Sequence, residues 1–222
     1  MSHINLNELD VTQVKLAKKG RAIRLMYNKE PLQLVTGLLY TPFGVRVTPN
    51  SYSDYATCTL DCSLNQSKSE VSVKYSDSLV KLDAKVIELI EQSENLFNVG
   101  NDNVDFADIK SCYSPILRDN KTYPKLIKIA LPRDSNGNFD FVIFNEKKEK
   151  VPLDDDNIIE VLSKGNIFKA IIECGKVWYY KGKFGITWNL KQLKFVENTI
   201  ETKPTNIASN SEMYETVMLL DD

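Results

Sequence analysis

The sequence predicts a mainly β domain with one long helix, built as a small Greek-key barrel or a sandwich that carries the helix as an insertion. Three observations predict it. Short runs of alternating apolar and polar residues are separated by Pro, Gly and Asn. A single segment, 77–97, repeats its apolar residues at helical spacing. Two long aromatic strands close the domain and meet at Lys181-Gly182.

Residues 11–29 come first, with Lys15, Lys18, Lys19, Arg21, Arg24 and Lys29 and no acidic residue among them. Two readings stand: a solvated basic arm or helix face, or an arm that contacts phosphates beside a groove. From Leu32 to Leu64 the text turns β-like, with Pro42, Gly44, Pro49 and Asn50 supplying bends. Tyr55, Thr57, Thr59 and Asp61 alternate there with Ala56, Cys58, Leu60 and Cys62, the period of a half-buried strand.

The helix follows. Leu79, Leu82, Val86, Ile90 and Phe97 fall near one face, Glu88, Glu91 and Glu94 flank it, and Asp77 or Ser78 is placed to cap it. Strand patterns return in CYSPIL, KLIKIAL and FDFVIF, the last two split by a turn at 134–138. Asn157–Leu162 suits one helical turn. In the closing pair, Phe184, Ile186, Trp188 and Leu190 keep one parity while Leu193 and Phe195 keep the other. A period of two changes phase through an extra residue, so a bulge or sharp bend is expected near Lys191 and Gln192; a strand buried on both faces is the other reading. The domain is expected over 32–197, between a basic N-terminal arm, 1–31, and a flexible acidic tail, 198–222.

Composition bounds function. The 222 residues are 42% hydrophobic and 26% charged, values of a globular chain. No run approaches the roughly 20 apolar residues that span a bilayer, and the N-terminus lacks a secretory pattern. With four scattered cysteines, a reduced intracellular setting is expected. The net charge of −2 hides a division: Glu201, Glu212, Glu215, Asp221 and Asp222 against Lys203 put −4 on the tail, leaving +2 on residues 1–197.

Enzymatic chemistry has little support. His3 is the one histidine and lies near an end expected to be mobile, a poor place for a general base. Cys58 and Cys62 would sit about 13 Å apart on one strand face, too far to share a metal, so both read as core. Asp154, Asp155 and Asp156 read as a solvated loop or a helix N-terminus rather than a metal site. Phosphate-loop, dinucleotide and nucleophile-elbow patterns are missing. Neither a cofactor nor a metal is expected.

The closing hairpin carries the binding signal. Trp178, Tyr179, Tyr180, Phe184 and Trp188 are interleaved with Lys169, Lys176, Lys181, Lys183, Lys191 and Lys194. Lysines attract phosphates while aromatic faces stack on unpaired bases. On a period of two, Trp178 and Tyr180 share a face and Tyr179 takes the other. Candidate contacts to nucleic acid are therefore Lys15, Lys18, Lys19, Arg21, Arg24, Lys169, Lys176, Trp178, Tyr180, Lys181, Lys183 and Phe184.

TPFGVRV, the strand YATCTLDCSL, the helix, KLIKIALPRDSNGNFDFVIF and the closing SKGNIFKAIIECGKVWYYKGKFGITWNLKQLKFVE together resemble the replication single-stranded DNA-binding proteins of phages and large DNA viruses. Gly165, Trp178, Gly185 and Trp188 occupy comparable places. The resemblance implies an oligonucleotide-binding (OB) barrel and a non-catalytic protein that binds single-stranded DNA, or alternatively RNA, without sequence preference, in replication, recombination or repair. It also implies an acidic tail that recruits a polymerase or helicase; Tyr214, Leu219, Leu220, Asp221 and Asp222 would dock there. No membrane is implied, a homodimer is compatible, and a viral protein would act at replication sites in the host cytoplasm or nucleus. The alternative is a viral β-sandwich interaction protein without nucleic-acid binding, favoured if Trp178, Tyr180 and Phe184 are all buried.

Overall fold

The computed structural model describes residues 3–20, 22–64, 70–93, 96–97, 109–119 and 124–196. Along the chain run β1 (Ile4–Asn5), β2 (Lys15–Lys19), β3 (Ala22–Tyr27), β4 (Glu30–Pro31), β5 (Gln33–Val35), β6 (Leu39–Tyr40), β7 (Val45–Thr48) and β8 (Thr57–Leu64). Then come helices α1 (Glu70–Glu91) and α2 (Ile109–Cys112), β9 (Leu117–Arg118), β10 (Leu126–Leu131), β11 (Val142–Phe144), β12 (Lys150–Val151), α3 (Ile158–Val161), β13 (Ile167–Tyr180) and β14 (Lys183–Phe195).

Strand pairing closes on itself. β6 pairs β8, β8 pairs β10, β10 runs parallel to β14, β14 pairs β13, and β13 returns to β6. β5 and β6 act as one kinked first strand, since both pair β13, and Thr36 bridges the kink by exchanging hydrogen bonds with Ala170. Numbered by sequence, the circuit is therefore 1-2-3-5-4-1 with the third and fifth strands parallel. That is the order of the OB barrel, and it excludes the two separate sheets of a sandwich. Inside lie Leu34, Leu39, Leu60, Cys62, Ile129, Phe168, Ile172, Trp188 and Leu190, all buried.

The long hairpin bends where its phase change predicts. Ile171 pairs Gln192 and Ile172 pairs Leu190, so Lys191 is the extra residue. A second bulge, at Gly175, falls between the pairs Cys174–Trp188 and Lys176–Thr187. Such bulges let a long strand curl around a small barrel. At its tip Lys181 and Gly182 both have positive φ, 48° and 74°, the two-residue turn whose twist matches the strands it joins.

Two sequence expectations change. The helix begins seven residues before Asp77, because Tyr75 extends the buried stripe of Leu79, Leu82, Val86 and Ile90 by one turn. It ends at Glu91, and Phe97 lies beyond it. The segment expected as a basic arm is folded into the domain: β1 pairs β5, β2 and β3 form a hairpin, and Leu6, Val14, Ile23 and Leu25 enter the core. His3 accordingly stands next to a paired strand rather than on a loose end.

Candidate nucleic-acid interface

Strand register places the outward side chains without ambiguity. One ladder row runs from Arg46 on β7 through Thr59, Ala130, Asn189 and Glu173 to Gln33 on β5. Stepping two residues along each strand keeps the same face. Asp61 opposite Lys128 makes the next row, followed on the hairpin by Thr187 with Lys176, Gly185 with Trp178, and Lys183 with Tyr180. The Gly175 bulge keeps Glu173 and Lys176 on one face although three positions separate them. A single outer wall thus joins the second and third barrel strands to the turn between the fourth and fifth.

Near the hairpin tip this wall is aromatic and basic. Tyr180 is 65% exposed and Trp178 half-buried, with Lys176 and Lys183 exposed beside them. Lys181 Nζ stands 5.3 Å from the Tyr180 ring centroid, a cation–π contact that keeps charge beside an open ring face. Lys183 Nζ donates to the Ser111 carbonyl at 2.7 Å, tying β14 to α2. Glu173 accepts from Gln33 Nε2 at 2.6 Å, so a neutral amide occupies its carboxylate.

The opposite side of the same strand holds the support. Tyr179 stacks on Phe97, with centroids 5.4 Å apart, and Phe97 in turn meets Phe184 at 5.8 Å. Tyr113 lies 5.2 Å from Phe184 and donates its hydroxyl to Asp83 Oδ1 on α1 at 2.5 Å. Burial pushes the Asp83 carboxyl up to about 6, against the lowering effect of the hydrogen bonds from Tyr113 and Ile116. The hairpin is thereby fixed to the helix from behind, while Tyr180 on its front stays open to solvent.

The predicted residues divide accordingly. Lys176, Trp178, Tyr180, Lys181 and Lys183 come together on the wall. Phe184 does not: it is 0% exposed, because its parity matches Tyr179 and Trp188 rather than Trp178. Lys169 is also buried, opposite Lys194, and burial followed by that neighbouring charge holds its pKa below the usual lysine value. Lys15, Lys19 and Arg24 share an exposed face of the β2–β3 hairpin. Lys18 points the other way and donates to the Leu96 carbonyl at 2.8 Å. Arg21 and the tail residues Tyr214, Leu219, Leu220, Asp221 and Asp222 lie outside the described residues.

Sequence reading missed Arg46, Arg118 and Lys128, scattered over three strands and assembled on the wall only by pairing. It also passed over Tyr52, 97% exposed in the loop joining the first and second barrel strands. That loop is built: Asn50 Oδ1 accepts from the Tyr52 amide at 3.0 Å, and Tyr55 donates its hydroxyl to the Asn136 carbonyl at 3.0 Å. Arg133 lies over Phe139 at 4.1 Å and near Tyr55 at 5.7 Å, while pairing with Asp155. Asp154 Oδ1 accepts from the Asp156 and Asn157 amides, so the aspartate run organises a turn. Cys58 and Cys62 are buried thiols, and among the described residues no His/Cys/Asp/Glu group is placed to hold a metal.

No protein-family model matches the chain, and no curated protein matches it in sequence. Among solved structures, it is similar to the single-stranded DNA-binding protein of bacteriophage Enc34 in complex with ssDNA, at 13% identity and TM-score 0.43, over 87% of this chain and 99% of that one. The same phage protein alone gives 14% identity and TM-score 0.37 over 90% and 98%. Its C-terminal truncation gives 14% and 0.39 over 87% and 99%. With these three TM-scores below 0.5, the fold assignment stands on this chain's own strand order.

Proposed function

We propose that the chain binds single-stranded DNA without sequence preference, laying the strand across the outer barrel wall from the loop at 41–56 to the Lys181-Gly182 turn. One observation carries this reading: Trp178 and Tyr180 share an accessible face with Lys176, Lys181 and Lys183, on a hairpin braced from its other side. OB barrels use the second and third strands together with these two loops to hold oligonucleotides, and stacking on a basic floor tolerates any base. Because Trp178 and Tyr180 are not core residues, an interaction protein without nucleic acid is the poorer account. The protein acts by binding alone, without catalysis.

In this reading its place is viral DNA replication, recombination or repair, with residues 198–222 recruiting a polymerase or helicase. The test is an anisotropy titration of labelled oligo-dT with duplex DNA and RNA of equal length as competitors. Tight binding to the single strand, weakened by salt and resisted by duplex, is expected. Equal affinity for duplex would refute it, and preference for RNA would reassign the ligand.

A further inference from the structure

The basic hairpin tip has a counterpart across the wall, on β7, β8, β9 and β10. Asp61 projects outward from the middle of β8, yet its side chain is only 10% exposed. Cations cover it. Arg118 on β9 pairs through Nη2 with Asp61 Oδ1, and Arg46 on β7 places Nη2 3.8 Å from Asp61 Oδ2. Lys128 stands directly across the β8–β10 ladder and is exposed. Side-chain exposure rises from 10% at Asp61 to 43% at Arg118 and 64% at Arg46. The carboxylate therefore lies at the floor, and an approaching anion meets guanidinium groups first.

We propose that Arg46 and Arg118, seated on Asp61, form one phosphodiester-binding point with the neighbouring Lys128, with Asp61 as the positioning residue. This rests on the nucleic-acid reading of the same wall and adds the place where the backbone is gripped. A guanidinium carries five donors in a planar fork, and the single Nη2 contact to Asp61 leaves the others for a phosphate. Two guanidinium groups on one carboxylate, with Lys128 on the neighbouring strand, leave a local excess of positive charge. The anion it suits is a phosphate monoanion repeated along a strand, because the point lies in line with the stacking rings rather than in a closed pocket.

At Asp61, charge and geometry predict opposite outcomes. By charge alone, removing a carboxylate from a DNA-binding face tightens binding. If the carboxylate instead holds two long side chains in place, its loss leaves them to be ordered at the moment of binding, at a cost in affinity. The geometry favours the second. Asp61→Asn in the full chain is expected to weaken oligo-dT binding about five-fold despite the added positive charge.

The experiment is a double-mutant cycle read by oligo-dT anisotropy: the wild type, Asp61→Asn, Arg46→Ala/Arg118→Ala and the triple variant, each at two salt concentrations. The weakening is expected in the wild-type background and absent from the background that lacks both arginines. Tighter binding by Asp61→Asn would overturn the seat, and equal weakening in both backgrounds would show a merely structural role. If Asp61→Asn fails to fold, Asp61→Ser replaces it, with the buried Trp188 fluorescence as the check on folding. A wild type that binds no oligonucleotide retires the functional reading itself, whereas a wild type that binds with an inverted cycle retires only the seat.

Discussion

The Trp178 indole lies across the α-carbon of Gly185 on the neighbouring strand, where an added Cβ would stand 2.7 Å from the ring's Cζ2 and 3.2 Å from Ser114 Cβ. Only a glycine leaves room for the ring at this approach to β14. Gly185→Ala is therefore expected to fold, because the partly exposed indole can swing outward, while altering tryptophan emission and weakening oligo-dT binding. Unchanged emission and affinity would show that this close placement is not used.

Tyr180 and Phe184 sit close together at the hairpin tip and should behave oppositely. Tyr180→Ala is expected to cost about 1–3 kcal/mol of single-strand affinity with little loss of stability, since the ring is exposed. Phe184→Ala removes a ring packed against Phe97 and Tyr113 and is expected to cost about 3–5 kcal/mol of folding stability. Chemical denaturation and anisotropy on both variants separate the two roles. A stable Phe184→Ala protein that had lost only DNA affinity would contradict this division.

Lys176 projects from the wall, whereas Lys18 is tied to the Leu96 carbonyl on the far side of its strand. Replacing Lys176 by Ala should reduce the slope of log affinity against log salt by about 1. Lys18→Ala should leave that slope nearly unchanged. Equal slopes for the two variants would mean that the wall does not select between them.

Asp83 gives the fold a pH dependence of known sign. Between its ordinary value, about 4, and the folded value of about 6, the native state holds a proton that the unfolded chain has released. Its contribution therefore destabilises the fold progressively as pH rises through that window. The difference in denaturation midpoint between about pH 5 and about pH 7 should shrink in Asp83→Asn, because an amide does not titrate there. An unaltered difference would place the Asp83 pKa elsewhere.

Much of this was legible in the sequence, and the reasons are specific. The alternation around Cys58 and Cys62 set one face of β8, and the parity change after Leu190 pointed to the Lys191 bulge, which the pairing of Ile171 with Gln192 and Ile172 with Leu190 selects over a strand buried on both faces. Local periodicity also separated Trp178 and Tyr180 from Tyr179. The same rule, applied across the turn, would have grouped Phe184 with Tyr179: in a two-residue hairpin Tyr179 faces Phe184 and Tyr180 faces Lys183. The cluster on Asp61 was not legible, since Arg46, Arg118 and Lys128 lie on separate strands and only the ladder brings them together. The N-terminal hairpin was hidden by its lysines, whose exposed positions masked Ile23 and Leu25 pointing inward.

In the proposed mode of binding, bases stack on the outer face of the β13–β14 hairpin. Tryptophan quenching by oligo-dT tests it most directly, because Trp188 is buried in the barrel while Trp178 lies on the wall. Saturating oligo-dT is expected to quench part of the emission, and Trp178→Phe should abolish that quenching while the protein still binds, since the remaining ring can stack. Tight binding without any quenching, or quenching that survives in Trp178→Phe, would place the strand elsewhere on the molecule.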